Sequence, residues 1–183
     1  MKKAFVTGHT RGIGKGIYDA FVGRGWDVAG FSRTTGWDIR NSSNIADIID
    51  KADSQDIDIL VNNAYYGYGQ VDLLYGLFDK WQYKEKCIVN ISSTAANHIA
   101  SYEQVRRYAV NKNLLSTACL QLQAIRNTKC QIIDIKLGRV DTPKIDHNGK
   151  SMLTVGEVSD IVMWILDQPK TISVNSITVV PTT

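Results

Sequence analysis

The feature that most constrains this chain lies at its start. A short apolar run, 3–6, leads straight into Thr7-Gly8-His9-Thr10-Arg11-Gly12-Ile13-Gly14, and a helical pattern follows. Glycines spaced this way between a strand and a helix meet a specific need. The turn is tight, the backbone can approach a ligand closely, and the helix can pack near the strand. The N-terminus of that helix offers unpaired N–H groups and the positive end of a dipole, which suits a phosphate. A Walker A loop is the rival, because Lys15 follows Gly14. It would need glycine at position 9, which is His9, and Ser or Thr after the lysine, which is Gly16.

The same alternation continues to the C-terminus. Apolar periodicity predicts helices over 14–24, 43–52, 71–84, 102–126 and 155–166, with Ser42 or Ser43 capping the second. Strands are predicted over 3–6, 26–31, 57–61, 87–91, 131–135 and 176–180. Strands alternating with helices imply a parallel sheet covered on both faces, with ligands at the carboxyl ends of the strands. At 183 residues, 44% hydrophobic and 21% charged, the expectation is one domain spanning 1–183.

Composition narrows the partners. A net charge of +3, from scattered basic residues, argues against nucleic acid. No apolar run approaches the roughly 20 residues of a bilayer span, and the apolar stretch near Met1 is too short for a signal peptide. Cys87, Cys119 and Cys130 are odd in number and lack C-x-x-C spacing. They read as buried thiols in a reducing, cytoplasmic setting, with no metal site expected.

Three further groups carry chemistry. The predicted fourth strand ends in Ser92-Ser93, and Tyr108 follows Ser93 by fifteen residues. Tyr108 and Lys112 stand at i, i+4, so both project from one helix face. A free tyrosine titrates near ~10, and an ammonium one turn away lowers that value toward useful acid–base chemistry. The plain alternative for the pair is a solvated helix face. At the end of the second strand, Arg33 follows Gly14 by 19 residues. An acidic residue in this region would grip the ribose 2′-OH of NAD, whereas an arginine accommodates the 2′-phosphate of NADP. Arg11 inside the loop would be its partner, since two guanidiniums suit one phosphate. Otherwise both arginines are simply solvated.

In order along the chain, T-G-x-x-x-G-I-G, Asn62-Asn63-Ala64, Ser93, Y-x-x-x-K from Tyr108 to Lys112, and Gly138-Arg139-Val140-Asp141-Thr142 are similar to the motifs of the short-chain dehydrogenase/reductase family. The resemblance covers almost the whole chain. It implies a Rossmann-type doubly wound parallel sheet in three α/β/α layers. It also implies an oxidoreductase that moves hydride reversibly between a nicotinamide and a small carbonyl or alcohol substrate. NADP(H) is the preferred cofactor, with NAD possible. Gly8, Thr10, Arg11, Gly12, Ile13 and Gly14 would hold the pyrophosphate, Ser32 and Arg33 the adenosine ribose, and Asp38 and Ile39 the adenine. Asn62, Asn63 and Ala64 would line the cofactor. Lys112 would hold the nicotinamide ribose, and Val140 and Thr142 the nicotinamide amide. Tyr108 would be the acid/base, Lys112 its electrostatic partner, and Ser93 the donor to the substrate oxygen. Relatives associate through the helix carrying the tyrosine, which implies a homodimer or homotetramer.

The chain also departs from the family pattern. Asp38 comes only five residues after Arg33, so the region after the second strand is shortened: one helix is deleted and a strand reduced to a stub. Tyr65 replaces the glycine that follows Asn-Asn-Ala, and Leu137 replaces a proline. The Ser93-to-Tyr108 gap is longer than common, which places an insertion in 94–107. The family's fourth catalytic residue, an asparagine in a water relay, has no counterpart, since no asparagine lies between Asn63 and Asn90. That loss motivates an alternative, a non-catalytic NAD(P)-binding sensor or assembly subunit. Nucleotide-sugar epimerase or dehydratase chemistry would need more than the 40 residues after Pro143. Tyr65, Tyr66 and Tyr68 either line a substrate cleft or pack under a loop. Tyr102, with Arg106 rather than lysine at i+4, is a poorer match than Tyr108, and His147 reads as a surface residue.

Overall fold

Six parallel strands form one sheet in the order β2-β1-β3-β4-β5-β6 in this computed structural model, which describes residues 1–98, 106–143 and 149–182. The strands are β1 (Lys3–Thr7), β2 (Asp27–Phe31), β3 (Ile59–Asn62), β4 (Cys87–Ser93), β5 (Gln131–Leu137) and β6 (Ser176–Val179). The helices are α1 (Gly12–Gly23), α2 (Ser42–Ser54), α3 (Gly69–Trp81), α4 (Arg107–Gln123) and α5 (Val155–Leu166). Each strand pairs with its neighbours in parallel, so every connection crosses over a face of the sheet. The architecture is the Rossmann-type three-layer sandwich.

Burial follows from this layering. All four residues of β3 are buried, as expected for a strand covered on both sides. On one face, α2, α3 and α4 pack Ile48, Leu74, Leu77 and Leu115 onto Phe5, Leu60 and Ile88. On the other, α1 and α5 pack Ile17, Phe21, Val158 and Val162 onto Val6, Val61, Val89 and Ile133. The winding reverses at β1: the chain leaves it for β2 on one side and returns as β3 on the other. The loops after β1 and β3 therefore face each other across the point where ligands bind in such sheets.

Several boundaries move for identifiable reasons. The cap of α2 is Asn41, whose side chain accepts the Ser43 N–H at 2.9 Å, rather than Ser42 or Ser43. β3 begins at Ile59, because the Ile57 N–H closes the end of α2 onto the Ala52 carbonyl. α4 begins at Arg107, and the part of the expected helix over 102–105 lies outside the described residues, as do Tyr102 and His147. No strand stub follows β2. A single 3-10 turn, Arg33–Thr35, leads through 36–41 into α2, which leaves β2 as an edge strand. Among the described residues, no helix is long and apolar enough to cross a membrane, and no group of His, Cys, Asp and Glu could hold a metal. The three cysteines are buried and unpaired by disulfides.

Candidate active site

The glycine loop is held closed by the residues after β3. Thr7 Oγ1 accepts the N–H groups of Asn63 and Ala64 at 2.9 and 3.0 Å, and Asn63 Nδ2 donates to the Thr7 carbonyl at 2.9 Å. Asn63 thereby lies against the loop. A Cβ on Gly8 would sit 2.8 Å from Asn63 Nδ2, and one on Gly14 only 2.3 Å from the Gly8 carbonyl oxygen. Gly8 and Gly12 also adopt positive φ, at 73° and 54°. Nothing larger than hydrogen fits at Gly8 or Gly14. No side chain caps α1, so the N–H groups of its first turn stay available to an anion. Thr142 approaches this turn from the segment after β5: a Cβ on Gly12 would lie 3.4 Å from its methyl. Val140, on the same segment, is pinned by a bridge to Leu153.

Beside the loop opens a cavity of about 410 Å³. Gly8, Thr10 and Arg11 line it from the first loop, Ser32 and Arg33 from the end of β2, and Asp38 and Ile39 from the loop before α2. Asn63 and Ala64 line it from the loop after β3. Hydroxyls line its floor: Ser32 Oγ lies 2.8 Å from Thr34 Oγ1, which donates to Thr10 Oγ1 at 3.3 Å. Trp37, edge-on to Phe31, adds an apolar wall. Arg40, to which no motif points, also lines the cavity. Its Nε donates to Asp38 Oδ2 at 2.7 Å, and its guanidinium stands 5.6 Å from the centre of the Tyr66 ring. Arg40 beside Asp38 holds that carboxyl below its usual range. Three arginines, Arg11, Arg33 and Arg40, thus line one pocket.

Tyr108 and Lys112 meet at the other end of the groove. Tyr108 stands exposed on the first turn of α4, and its ring lies edge-on to Tyr65 with centroids 4.9 Å apart. Lys112 is buried, its Nζ 5.7 Å from the Tyr108 ring centre and 5.3 Å from that of Tyr65. Burial pushes the Lys112 ammonium down to about 7, opposed by the negative charge of Asp134 on β5. Ser93 ends β4, and its Oγ accepts the Ala95 N–H at 3.2 Å, leaving the hydroxyl hydrogen to donate elsewhere. Asn62 lies deeper. Its Nδ2 donates to the Gln70 carbonyl and to Asn90 Oδ1, so its side chain ties β3 to α3 and β4.

Two residues of this end make contacts that no motif specifies, and Gln70 escapes a motif reading altogether. Tyr65 stands where the family pattern has glycine, and its hydroxyl accepts from Asn111 Nδ2 at 3.1 Å. Gln70 accepts from Lys112 Nζ at 2.7 Å. A signal for Gln70 was present: it shares the 70, 73, 74, 77 stripe with Leu73, Leu74 and Leu77, which marks an amide on a buried face.

No protein-family model matches this chain, and no curated protein matches it in sequence. Solved structures do. A 3-ketoacyl-(acyl-carrier-protein) reductase from Brucella melitensis, complexed with NADH, matches with TM-score 0.80 at 18% identity, over 98% of this chain and 96% of that one. An alcohol dehydrogenase from Thermococcus sibiricus, complexed with 5-hydroxy-NADP, matches with TM-score 0.77 at 17% identity, over 98% and 96%. A short chain dehydrogenase from Burkholderia cenocepacia J2315, in complex with NADP, matches with TM-score 0.78 at 20% identity, over 97% and 89%. The chain has the fold of the short-chain dehydrogenases.

Proposed function

We propose that this chain is an NADP(H)-dependent oxidoreductase of the short-chain dehydrogenase/reductase type, a single domain acting on a small carbonyl or alcohol. One observation carries the reading: a buried lysine stands near an exposed tyrosine, at the same carboxyl end of the sheet as a glycine loop whose Gly8 and Gly14 admit no side chain.

The residues present fit a dinucleotide. The uncapped start of α1 and the backbone of Gly8 to Gly14 would hold the pyrophosphate. Arg11 and Arg33 would bind a 2′-phosphate above the Ser32–Thr34 hydroxyls. Trp37, Ile39 and Tyr66 would wall the adenine. Thr142 and Val140 would hold the nicotinamide amide. When bound, the nicotinamide supplies or accepts the hydride. The chain's own residues handle the proton. Tyr108 gives its phenolic proton to the carbonyl oxygen, or takes it back in the reverse direction. Lys112 stabilises the phenolate with its charge. Ser93 donates to the same oxygen, where negative charge develops. In this reading the protein works as a homodimer or homotetramer.

A second reading, cofactor binding without turnover, draws on the lack of any asparagine between Asn63 and Asn90, where the family pattern places its relay residue. A panel of aldehydes and ketones with NADPH separates the two. The enzyme reading predicts turnover that Tyr108→Phe lowers at least a hundredfold while NADPH binding persists. Binding with no turnover on any carbonyl would leave the sensor reading standing.

A further inference from the structure

Lys112 is held by more than its burial. Its Nζ donates to Gln70 Oε1 at 2.7 Å and to the Ile91 carbonyl at 2.7 Å, so two of its three N–H groups have fixed acceptors. Gln70, in the first turn of α3, is only 2% exposed. Its Nε2 donates to the Asn62 carbonyl at 2.7 Å and reaches the Ile91 carbonyl at 3.4 Å. Asn62 returns the contact, its Nδ2 donating to the Gln70 backbone carbonyl at 2.8 Å. Two acceptors on one side fix which end of the carboxamide is nitrogen, so the oxygen must face the ammonium. A lysine stem normally samples many rotamers, and here its tip is clamped between α3 and β4.

We infer that Gln70 is a positioning residue of the candidate site. With the Ile91 carbonyl, it fixes the Lys112 ammonium and leaves the third N–H for the side occupied by the Tyr65 and Tyr108 rings. The catalytic meaning of this clamp rests on the functional reading above, while the clamp itself does not. The segment between Asn63 and Asn90 contains no asparagine, and among the described residues the side chain in it that hydrogen-bonds the lysine is this glutamine. Among the described residues, the titratable groups facing Lys112 are Tyr65 from the loop before α3, Tyr108 from α4, and Asp134 from β5, itself 3.0 Å from Lys136 Nζ. A carbonyl oxygen that accepts from the charged lysine favours that form against burial.

The test is a pH titration by NMR of protein labelled with ¹³C at lysine Cε and glutamine Cδ. Spectra of Lys112→Met and Gln70→Met assign the two signals. In the unaltered protein, the Gln70 signal should move with the same midpoint as Lys112. Gln70→Met, similar in size but without the oxygen, should lower the Lys112 midpoint by about one pH unit, roughly tenfold in the ratio of charged to neutral lysine. Gln70→Glu should raise it by a similar amount. A Gln70 signal that stays flat while Lys112 titrates overturns the inference, and this reading needs no variant to fold. A folded Gln70→Met with an unmoved Lys112 midpoint overturns it too. No cofactor enters these measurements. Failure here with NADPH binding intact removes only the role of Gln70. A shared titration in a protein that binds no nicotinamide removes the functional reading and keeps the clamp.

Discussion

Lys112 shows how a single residue ties stability to the site. Its ordinary value of 10.5 falls to about 7 on burial, so between these values the unfolded chain binds more protons than the folded one. Stability linked to this residue therefore rises with pH from about 7 to about 10, and the cost of burying the charge is fully present below that window. Urea unfolding of the unaltered protein and Lys112→Met should show the difference moving in favour of lysine as pH rises. The limit is about 1.4 kcal/mol per pH unit. A difference that does not change between pH 7 and 9 would contradict the shift. The arginines make a separate claim. Arg11→Ala and Arg33→Ala should each lose hydrogen bonds to a charged group, about 1.5–3 kcal/mol, and so weaken NADPH binding roughly ten- to hundredfold. Isothermal titration should find NADH binding little changed. Equal losses for both cofactors would mean that the arginines do not read the 2′-phosphate. Gly14→Ala would drive its Cβ into the Gly8 carbonyl, 2.3 Å away, and should abolish binding of either cofactor.

At the scale of elements, packing sets the costs. Leu74 is fully buried between α3 and the sheet. Leu74→Ala should cost about 2–5 kcal/mol, read as a lower urea midpoint. Thr154 accepts the Glu157 N–H at 3.1 Å, and Glu157 accepts the Thr154 N–H in return. Thr154→Ala should cost about 1 kcal/mol through the lost cap of α5. These elements were legible because their signals are local. Strands buried on both faces announce themselves by a continuous apolar run and amphipathic helices by period, as β4 and α5 do. What was not legible depends on tertiary contact. The Asn41 cap competes with two adjacent serines, and only the backbone geometry decides between them. The shortened stretch after β2 was visible from the spacing of Arg33 and Asp38, but its conversion to a 3-10 turn was not. Tyr65 and Gln70 matter through residues more than 40 positions away, a relation that no motif spacing encodes.

For the whole molecule, the consequence of the shortened region is an edge. β2 pairs only with β1, so that end of the groove is walled by a loop, 36–41, rather than by a further strand. The site nevertheless gathers where the winding reverses, with the loops after β1, β2, β3 and β5 contributing to one groove. The account therefore turns on whether that groove takes a dinucleotide. Thermal unfolding with NADPH, NADP, NADH and NAD at matched concentrations tests this most directly. A ligand at 100 times its Kd stabilises by about 2.7 kcal/mol, an easily read rise in Tm. The account predicts a rise with NADPH and NADP that exceeds any rise with NADH and NAD. A larger rise with the unphosphorylated pair would mean that Arg11 and Arg33 face solvent. No rise with any of the four would contradict the dinucleotide site itself.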